Sequence, residues 1–121
     1  MAAKRGSHRP GQVAETVRQV LAEALARDVR DPRVGRVTLT GVTVSHDLSH
    51  AKVRVLCGEG EERDRALEGL RSAGGFLRGK VAKALATRVT PELHFEPDLG
   101  LEHARKMDAL LASLRQEGDE V

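Results

Sequence analysis

Two adjacent glycines, Gly74 and Gly75, interrupt a stretch that otherwise has the spacing of one amphipathic helix. Apolar residues recur three and four positions apart on both sides of the pair, at Ala66, Leu67 and Leu70 before it and at Leu77, Val81, Ala84 and Leu85 after it. A glycine inside a helix costs about 0.5–1 kcal/mol relative to alanine. We therefore expect a break between two helices, at about 61–73 and 76–87, with the glycines free to adopt positive φ.

The rest of the chain alternates between helical and strand patterns. Helices are predicted at 11–28 and 101–116, and a strand within 88–98. The stretch 37–57 predicts a hairpin, and its apolar alternation shifts by one residue at Gly41, which indicates a β-bulge. The two helices between the second and third strands supply the long crossover that a parallel pairing needs. The sequence thus predicts a single α+β domain, a three-stranded mixed sheet with helices mainly on one face.

Charge is segregated along the chain although the formal net charge is only +2. Residues 71–90 carry five Lys or Arg and no Asp or Glu, while residues 91–121 carry three against eight. A basic surface favours a polyanionic partner, and a solvated basic face is the alternative. Phe76 and Phe95 are the whole aromatic content, which argues against a base-stacking platform. Any nucleic acid is expected to be held through its backbone and shape.

Several chemical classes are disfavoured. Gly74 to Lys80 matches G-x-x-x-x-G-K, but a helical segment precedes it and no Ser or Thr follows it. His46, Asp47 and His50 offer too few ligands for a metal site, and Asp47 is expected to organise the hairpin turn. Cys57 has the position of a small core residue. No enzyme, cofactor or metal is expected, and the lone cysteine and lack of apolar spans or a signal peptide favour the cytoplasm and no membrane.

Four strings carry a family resemblance: DPRVG, VTVSHDLSHAKVRV, SAGGFLR and RVTPELHFEPD. In order and spacing, from about Arg9 to Leu114, they resemble ribosome-binding factor A. The resemblance implies a type II KH-like domain, α-β-β-α-kink-α-β with an added C-terminal helix. The family's Ala-x-Gly kink corresponds to Ala73-Gly74-Gly75. Gln12, His46 and Arg54 depart from the residues that are common in the family at those positions.

The resemblance also implies a function. A member of the family would be a non-enzymatic, monomeric assembly factor that binds the small (30S) ribosomal subunit and its 16S rRNA during late maturation and rRNA processing. Cells that lose such a factor are expected to be cold-sensitive. Release partners would be a ribosome-dependent GTPase and initiation factors. The alternative is a protein-interaction adaptor that uses its acidic C-terminal helix.

The predicted RNA-binding residues surround the kink and the N-terminal region: Lys4, Arg5, Arg9, Arg18, Arg71, Gly74, Gly75, Arg78, Lys80 and Lys83. Arg33 and Arg36 are weaker candidates, since Arg33 is also placed to brace the Asp31-Pro32 turn. The expected organisation is a flexible basic arm at 1–8, the KH-like domain at 9–115 and an acidic flexible tail at 116–121.

Overall fold

The computed structural model describes residues 9–86 and 88–119, and side chains within 9–86 and 88–115. Its elements are helix α1 (Pro10–Arg27), a 3-10 turn (Pro32–Val34), strands β1 (Thr38–Val44) and β2 (His50–Leu56), helices α2 (Gly60–Ser72) and α3 (Gly74–Ala84), strand β3 (Glu92–Pro97) and helix α4 (Leu99–Asp119). This is the predicted order, although α4 runs three residues past its predicted end. The predicted arm at 1–8 and the last two residues lie outside the described part. None of the described helices has both the length and the apolar content to span a bilayer.

Strand β2 is the centre of the sheet, antiparallel to β1 and parallel to β3. The register between β1 and β2 shifts between Leu39 and Gly41, which confirms the predicted bulge. The extra residue of the bulge, Thr40, donates its hydroxyl proton to Asp98 Oδ2 over 2.6 Å. This bond ties the edge strand to the residue that follows β3.

Helices α1, α2 and α3 cover one face of the sheet. Leu21, Val53, Leu70 and Leu77 have no exposed surface, and Cys57 is buried among them, where burial raises the pKa of its thiol. The predicted role of Cys57 as a core residue is confirmed. The opposite face of the sheet, the open face, carries alternate residues of β2 and β3: His50, Lys52, Arg54, Glu92, His94 and Glu96.

A single residue separates α2 from α3. Ala73, at φ −83° and ψ −2°, ends one helix and precedes the other. Its N–H donates to the Gly69 carbonyl over 3.0 Å, and its own carbonyl accepts from Leu77 N–H over 2.9 Å. The predicted break is confirmed, but two details were wrong. Helix α3 begins at Gly74, not Phe76, and the described glycines with positive φ are Gly58 and Gly60.

The other end of α3 also differs from the prediction. The helix ends at Ala84, which is exposed, and Leu85 is already extended. Residues Gly74 to Lys80 follow a helix and lie inside one, so they form no phosphate-binding loop.

Among its described side chains, helix α4 contacts the rest of the domain near its start. Asp98 accepts a hydrogen bond from Leu101 N–H. The hydrogen bond from Thr40 and, to a smaller extent, this one from Leu101 lower the pKa of the Asp98 carboxyl. The buried Glu102 lies 4.0 Å from Arg63 of α2, and Lys106 lies 3.3 Å from Glu59. Past this base the apolar side chains of α4 are about half exposed: Met107, Leu110, Leu111 and Leu114.

Candidate nucleic-acid interface

A shallow groove of about 480 Å³ runs between α3 and the segment that leads to β3. Small residues of α3, spaced four and three apart on one side of the helix, line it: Gly75, Gly79 and Ala82. Arg78, Arg88 and Thr90 complete the lining. The groove therefore combines a floor close to bare backbone with two guanidinium groups.

The glycines of α3 are not required by the fold of the described residues. A Cβ placed on Gly74, Gly75 or Gly79 would meet nothing within 4 Å. All three lie in helical backbone without positive φ. Tight packing between helices, which would also explain glycine at the kink, is thus excluded as the reason for them. What the glycines leave is exposed backbone that an external chain can approach closely.

The start of α3 adds a favourable environment for an anion. Gly74, Gly75 and Phe76 are its first three residues, so their N–H groups have no acceptor one turn earlier in the same helix. The aligned peptide dipoles place partial positive charge at this end. Arg71 is exposed one residue before the end of α2.

Two of the predicted cations near the groove have partners within the protein. Arg78 Nη2 donates to the Thr90 carbonyl over 2.9 Å, which fixes the guanidinium across the groove. Lys80 Nζ lies 3.4 Å from Asp28 Oδ2 and 5.5 Å from the centre of the Phe76 ring. Lys80 therefore joins the end of α1 to α3 as well as contributing charge.

Other cations here have no such partner. Arg71, Lys83 and Arg88 are exposed and form no ion pair or side-chain hydrogen bond with any other residue that the structure describes. Their charges are thus available to an external anion. Arg88 was not among the predicted site residues.

The structure describes two of the four predicted RNA-binding residues of the N-terminal region. Lys4 and Arg5 lie outside the described residues. Arg9 is exposed directly before α1, and its carbonyl accepts from the N–H groups of Gln12 and Val13. Arg18 holds the carboxylate of Glu15, with Nε 3.1 Å from Oε2. This pairing lowers the pKa of Glu15 and raises that of Arg18, so the charge of Arg18 is largely compensated on α1 itself.

Arg33 serves the turn before β1. Its side chain grips Asp31, with Nη2 2.6 Å from Oδ2, and lies 3.5 Å from Glu68. These contacts lower the pKa of Asp31 and confirm the predicted bracing role. Arg36 is exposed near the same turn.

The departures from the family pattern have local roles or lie at the surface. Arg54 donates a hydrogen bond to Thr43 Oγ1 over 2.9 Å. Its side chain passes over Gly41, where a Cβ would lie only 2.8 Å from Arg54 Nη2. Gln12 and His46 are exposed. As predicted, Asp47 organises the hairpin turn: it accepts from the Ser49 N–H and from the hydroxyls of Ser45 and Ser49, which lowers its pKa to about 2.

Sequence reasoning missed part of the groove. Gly79 and Ala82 could have been found from their spacing with Gly75, since small residues at i, i+4 and i+7 share one helix face. Arg88 and Thr90 follow the helix in an irregular segment, so only the packing of that segment beside α3 brings them to the groove.

The fold and the groove together define the class: an α-β-β-α-α-β domain of the KH-like type with a cationic, glycine-lined surface. The family model for ribosome-binding factor A matches residues 9–111. The chain belongs to the ribosome-binding factor A family. It is 46% identical over 112 residues to ribosome-binding factor A of Thermomicrobium roseum, a match that covers 92% of this chain and 87% of that relative. The same protein of Chloroflexus aurantiacus is 44% identical, with 91% and 88% covered.

Solved structures agree with this assignment. The crystal structure of ribosome-binding factor A from Thermus thermophilus superposes with a TM-score of 0.64 at 28% identity and covers 74% of this chain and 97% of that one. A homology model of the Thermus thermophilus factor, fitted into the cryo-EM map of a complex of the 30S subunit with ribosome-binding factor A, gives a TM-score of 0.56 at 31% identity and covers 69% of this chain and 88% of that one.

Proposed function

We propose that this chain is a non-enzymatic assembly factor that binds the small ribosomal subunit through 16S rRNA during late maturation and rRNA processing. Its family membership supports the ribosomal partner, and the Thermus relative has been fitted into a map of a 30S complex. The observation that carries the RNA contact is the groove beside α3. There Gly75 and Gly79, which the described fold does not need, lie next to Arg78 and to Arg88, which has no partner among the described residues.

The groove suits a sugar-phosphate backbone more than a set of bases. Exposed glycine backbone admits a close approach, and the start of α3 and the nearby cations favour phosphate oxygens. Among the described aromatic rings Phe95 is buried and Phe76 is half exposed, so a row of stacked bases has no platform.

The residues have separable roles in this proposal. Lys83, Arg88 and Arg71 neutralise phosphates directly. Gly74, Gly75 and Gly79 allow the RNA to reach the backbone, while Arg78 and Lys80 hold the groove in shape and add charge. Contacts by Lys4, Arg5, Arg9 and Arg18 stay predictions, and the pairing of Arg18 with Glu15 makes it the weakest of these.

The direct test is binding to purified small subunits by a Lys83→Glu, Arg88→Glu double variant. Arg65→Glu is the charge control, because Arg65 is an exposed cation of α2 beside Glu61 and Glu62. We expect a loss of affinity of at least about a hundredfold for the double variant and a salt dependence shallower by about one for each lost phosphate contact. Arg65→Glu should change affinity by less than about threefold.

Melting temperatures of all three proteins should agree to within about 3 °C. Each changed side chain is exposed and unpaired in the described structure, and the new carboxylate of Arg65→Glu beside Glu61 and Glu62 costs only a few tenths of a kcal/mol. Unchanged affinity of the double variant would refute the RNA interface. The double variant lowers the net charge by four and the Arg65 control by two, so a loss of binding free energy only about twice that of the control would indicate a non-specific charge effect.

The adaptor is the second candidate function, and the exposed apolar stripe of α4 is the observation that favours it. In that function α4 docks a partner protein and the basic groove is only solvated. The native chain would then be absent from the ribosomal fractions of a sucrose gradient. Co-migration with free small subunits that is lost at high salt, and lost also in Lys83→Glu, Arg88→Glu, supports RNA binding instead.

Further features implied by the resemblance stay predictions. They are release by a ribosome-dependent GTPase or initiation factors, cold sensitivity on loss, a monomeric state and a cytoplasmic location.

A further inference from the structure

A cluster of metal-binding side chains lies on the open face of the sheet, away from the helices. His50 begins β2, and Glu92 and His94 lie on β3, where residues two apart point to the same side. The parallel pairing of β2 and β3 sets His50 opposite Glu92 and Lys52 opposite His94. Among the described residues this is the one place where three or more such side chains bring their ligand atoms together.

The distances within the cluster suit one ion. His50 Nδ1 lies 3.0 Å from His94 Nε2 and 3.9 Å from Glu92 Oε2, and all three ligand atoms lie within 4.8 Å of one another. Two nitrogens that bind zinc at about 2.0–2.1 Å with a tetrahedral angle are about 3.3 Å apart. Small rotations of three exposed side chains are enough to reach that geometry.

We propose that His50, His94 and Glu92 form a binding site for a divalent transition-metal ion, with zinc the best match. Two imidazoles and one carboxylate are a ligand set found for zinc, which leaves the fourth position to water. Imidazole nitrogens favour zinc, copper or nickel over magnesium and calcium, which prefer oxygen ligands.

The surroundings of the cluster are compatible with a bound cation. An open hollow of about 560 Å³ adjoins the two histidines and is lined also by Thr43, Lys52 and Glu96. On this face Glu92 and Glu96 balance the charges of Lys52 and Arg54, so the carboxylates keep the net charge near the cluster from being positive. Without a metal the two imidazoles share a hydrogen bond, so the ion replaces one proton between the same two nitrogens.

These three ligands differ from the metal candidates that the hairpin sequence suggests, which are His46, Asp47 and His50. Asp47 is occupied by Ser45 and Ser49, and neither it nor His46 belongs to the cluster. Forty-two positions separate His50 from Glu92, so no sequence motif announces the site. This proposal replaces the sequence-based expectation that the chain holds no metal.

Calorimetric titration of the chelator-treated full chain with zinc chloride tests the site. We expect one ion per chain for the native sequence, and at least about tenfold weaker binding for His50→Ala and for His94→Ala. Glu92→Gln keeps the size of the side chain and should weaken binding less. His46→Ala, an exposed histidine of the neighbouring turn, and His103→Ala on α4 are the matched controls and should bind zinc like the native chain.

Imidazole nitrogen NMR gives a readout that folding defects cannot imitate. On addition of zinc the signals of His50 Nδ1 and His94 Nε2 should shift, while those of His46 and His103 should not. Absence of saturable binding at millimolar zinc overturns the proposal. So does binding that survives both His50→Ala and His94→Ala, or that His46→Ala weakens equally.

Discussion

Replacing Gly79 by alanine separates what the fold needs from what the proposed RNA contact needs. Gly79 lies in the middle of α3, is exposed, and would carry a Cβ with no atom of the described residues within 4 Å. Because its backbone is already helical, the variant gains helix propensity and loses freedom in the unfolded chain. We expect Gly79→Ala to stabilise the protein by about 0.5–1 kcal/mol.

The same methyl group should weaken binding. RNA in van der Waals contact with the Gly79 backbone, at about 3.5–4 Å, would overlap a Cβ placed on the groove floor. The backbone of the RNA would have to move away from both Arg78 and Arg88. A loss of at least about tenfold in affinity for the small subunit, or 1.4 kcal/mol, is the expected result.

Thermal unfolding and a subunit-binding titration measure the two effects on the same preparation. At the size of this domain, a gain of 0.5–1 kcal/mol raises the melting temperature by about 2–6 °C. Gly100→Ala is the matched control, since Gly100 is exposed near the start of α4 and its Cβ would make only an ordinary contact of 3.6 Å with Asp98. It should leave affinity unchanged.

The outcomes distinguish the two explanations for glycine. A variant that melts higher and binds as tightly as the native chain would show that the RNA does not approach the backbone at Gly79. A variant that melts lower would show that the fold itself requires glycine there, and the reasoning from open space would fail.

Three further predictions concern stability and reactivity. Asp47→Asn should lower the melting temperature at pH 7. The pKa of Asp47 is about 2 in the fold against an ordinary value of 3.8, so its carboxylate stabilises the fold only while it is ionised. The difference in melting temperature between the variant and the native chain should therefore vanish as the pH falls from about 4 to 2. Lys80→Ala should cost at most about 1 kcal/mol in chemical denaturation, since its partly exposed bond to Asp28 is a weak one, whereas Lys83→Ala should cost nothing measurable. Cys57 should resist alkylation in the native protein and react on unfolding in urea, because burial raises its thiol pKa.

The strands and helices followed from the sequence because each has a simple period. The bulge at Gly41 was visible as a slip in alternation, and the break at Ala73 was visible because two glycines seldom continue a helix. The start of α3 was misplaced for a physical reason: glycine tolerates positive φ but does not require it, so Gly74 and Gly75 fit the first helical turn.

The functional surface was less predictable because it depends on packing between distant segments. Charge counting cannot show that Glu15 compensates Arg18 or that Asp28 lies beside Lys80. It likewise cannot show that Arg88, at the edge of the groove, pairs with no other residue that the structure describes. The meeting of His50 with His94 requires the parallel register of two strands that are 42 residues apart in the chain.

The fold accounts for some of the described glycines and not for others, and three of those that it does not explain lie together in α3, with Gly11 of α1 as a further isolated one. Gly58 has φ of +90°, and a Cβ on Gly69 would come 3.1 Å from the Cβ of Arg33, so the fold accounts for both. No such reason exists among the described residues for Gly74 and Gly75 in the first turn of α3, or for Gly79 in its interior, where glycine is unfavourable. A total stability of only about 5–15 kcal/mol makes that loss significant. Since nothing inside the described fold offsets it, the compensating interaction should lie outside the chain, in whatever occupies the groove.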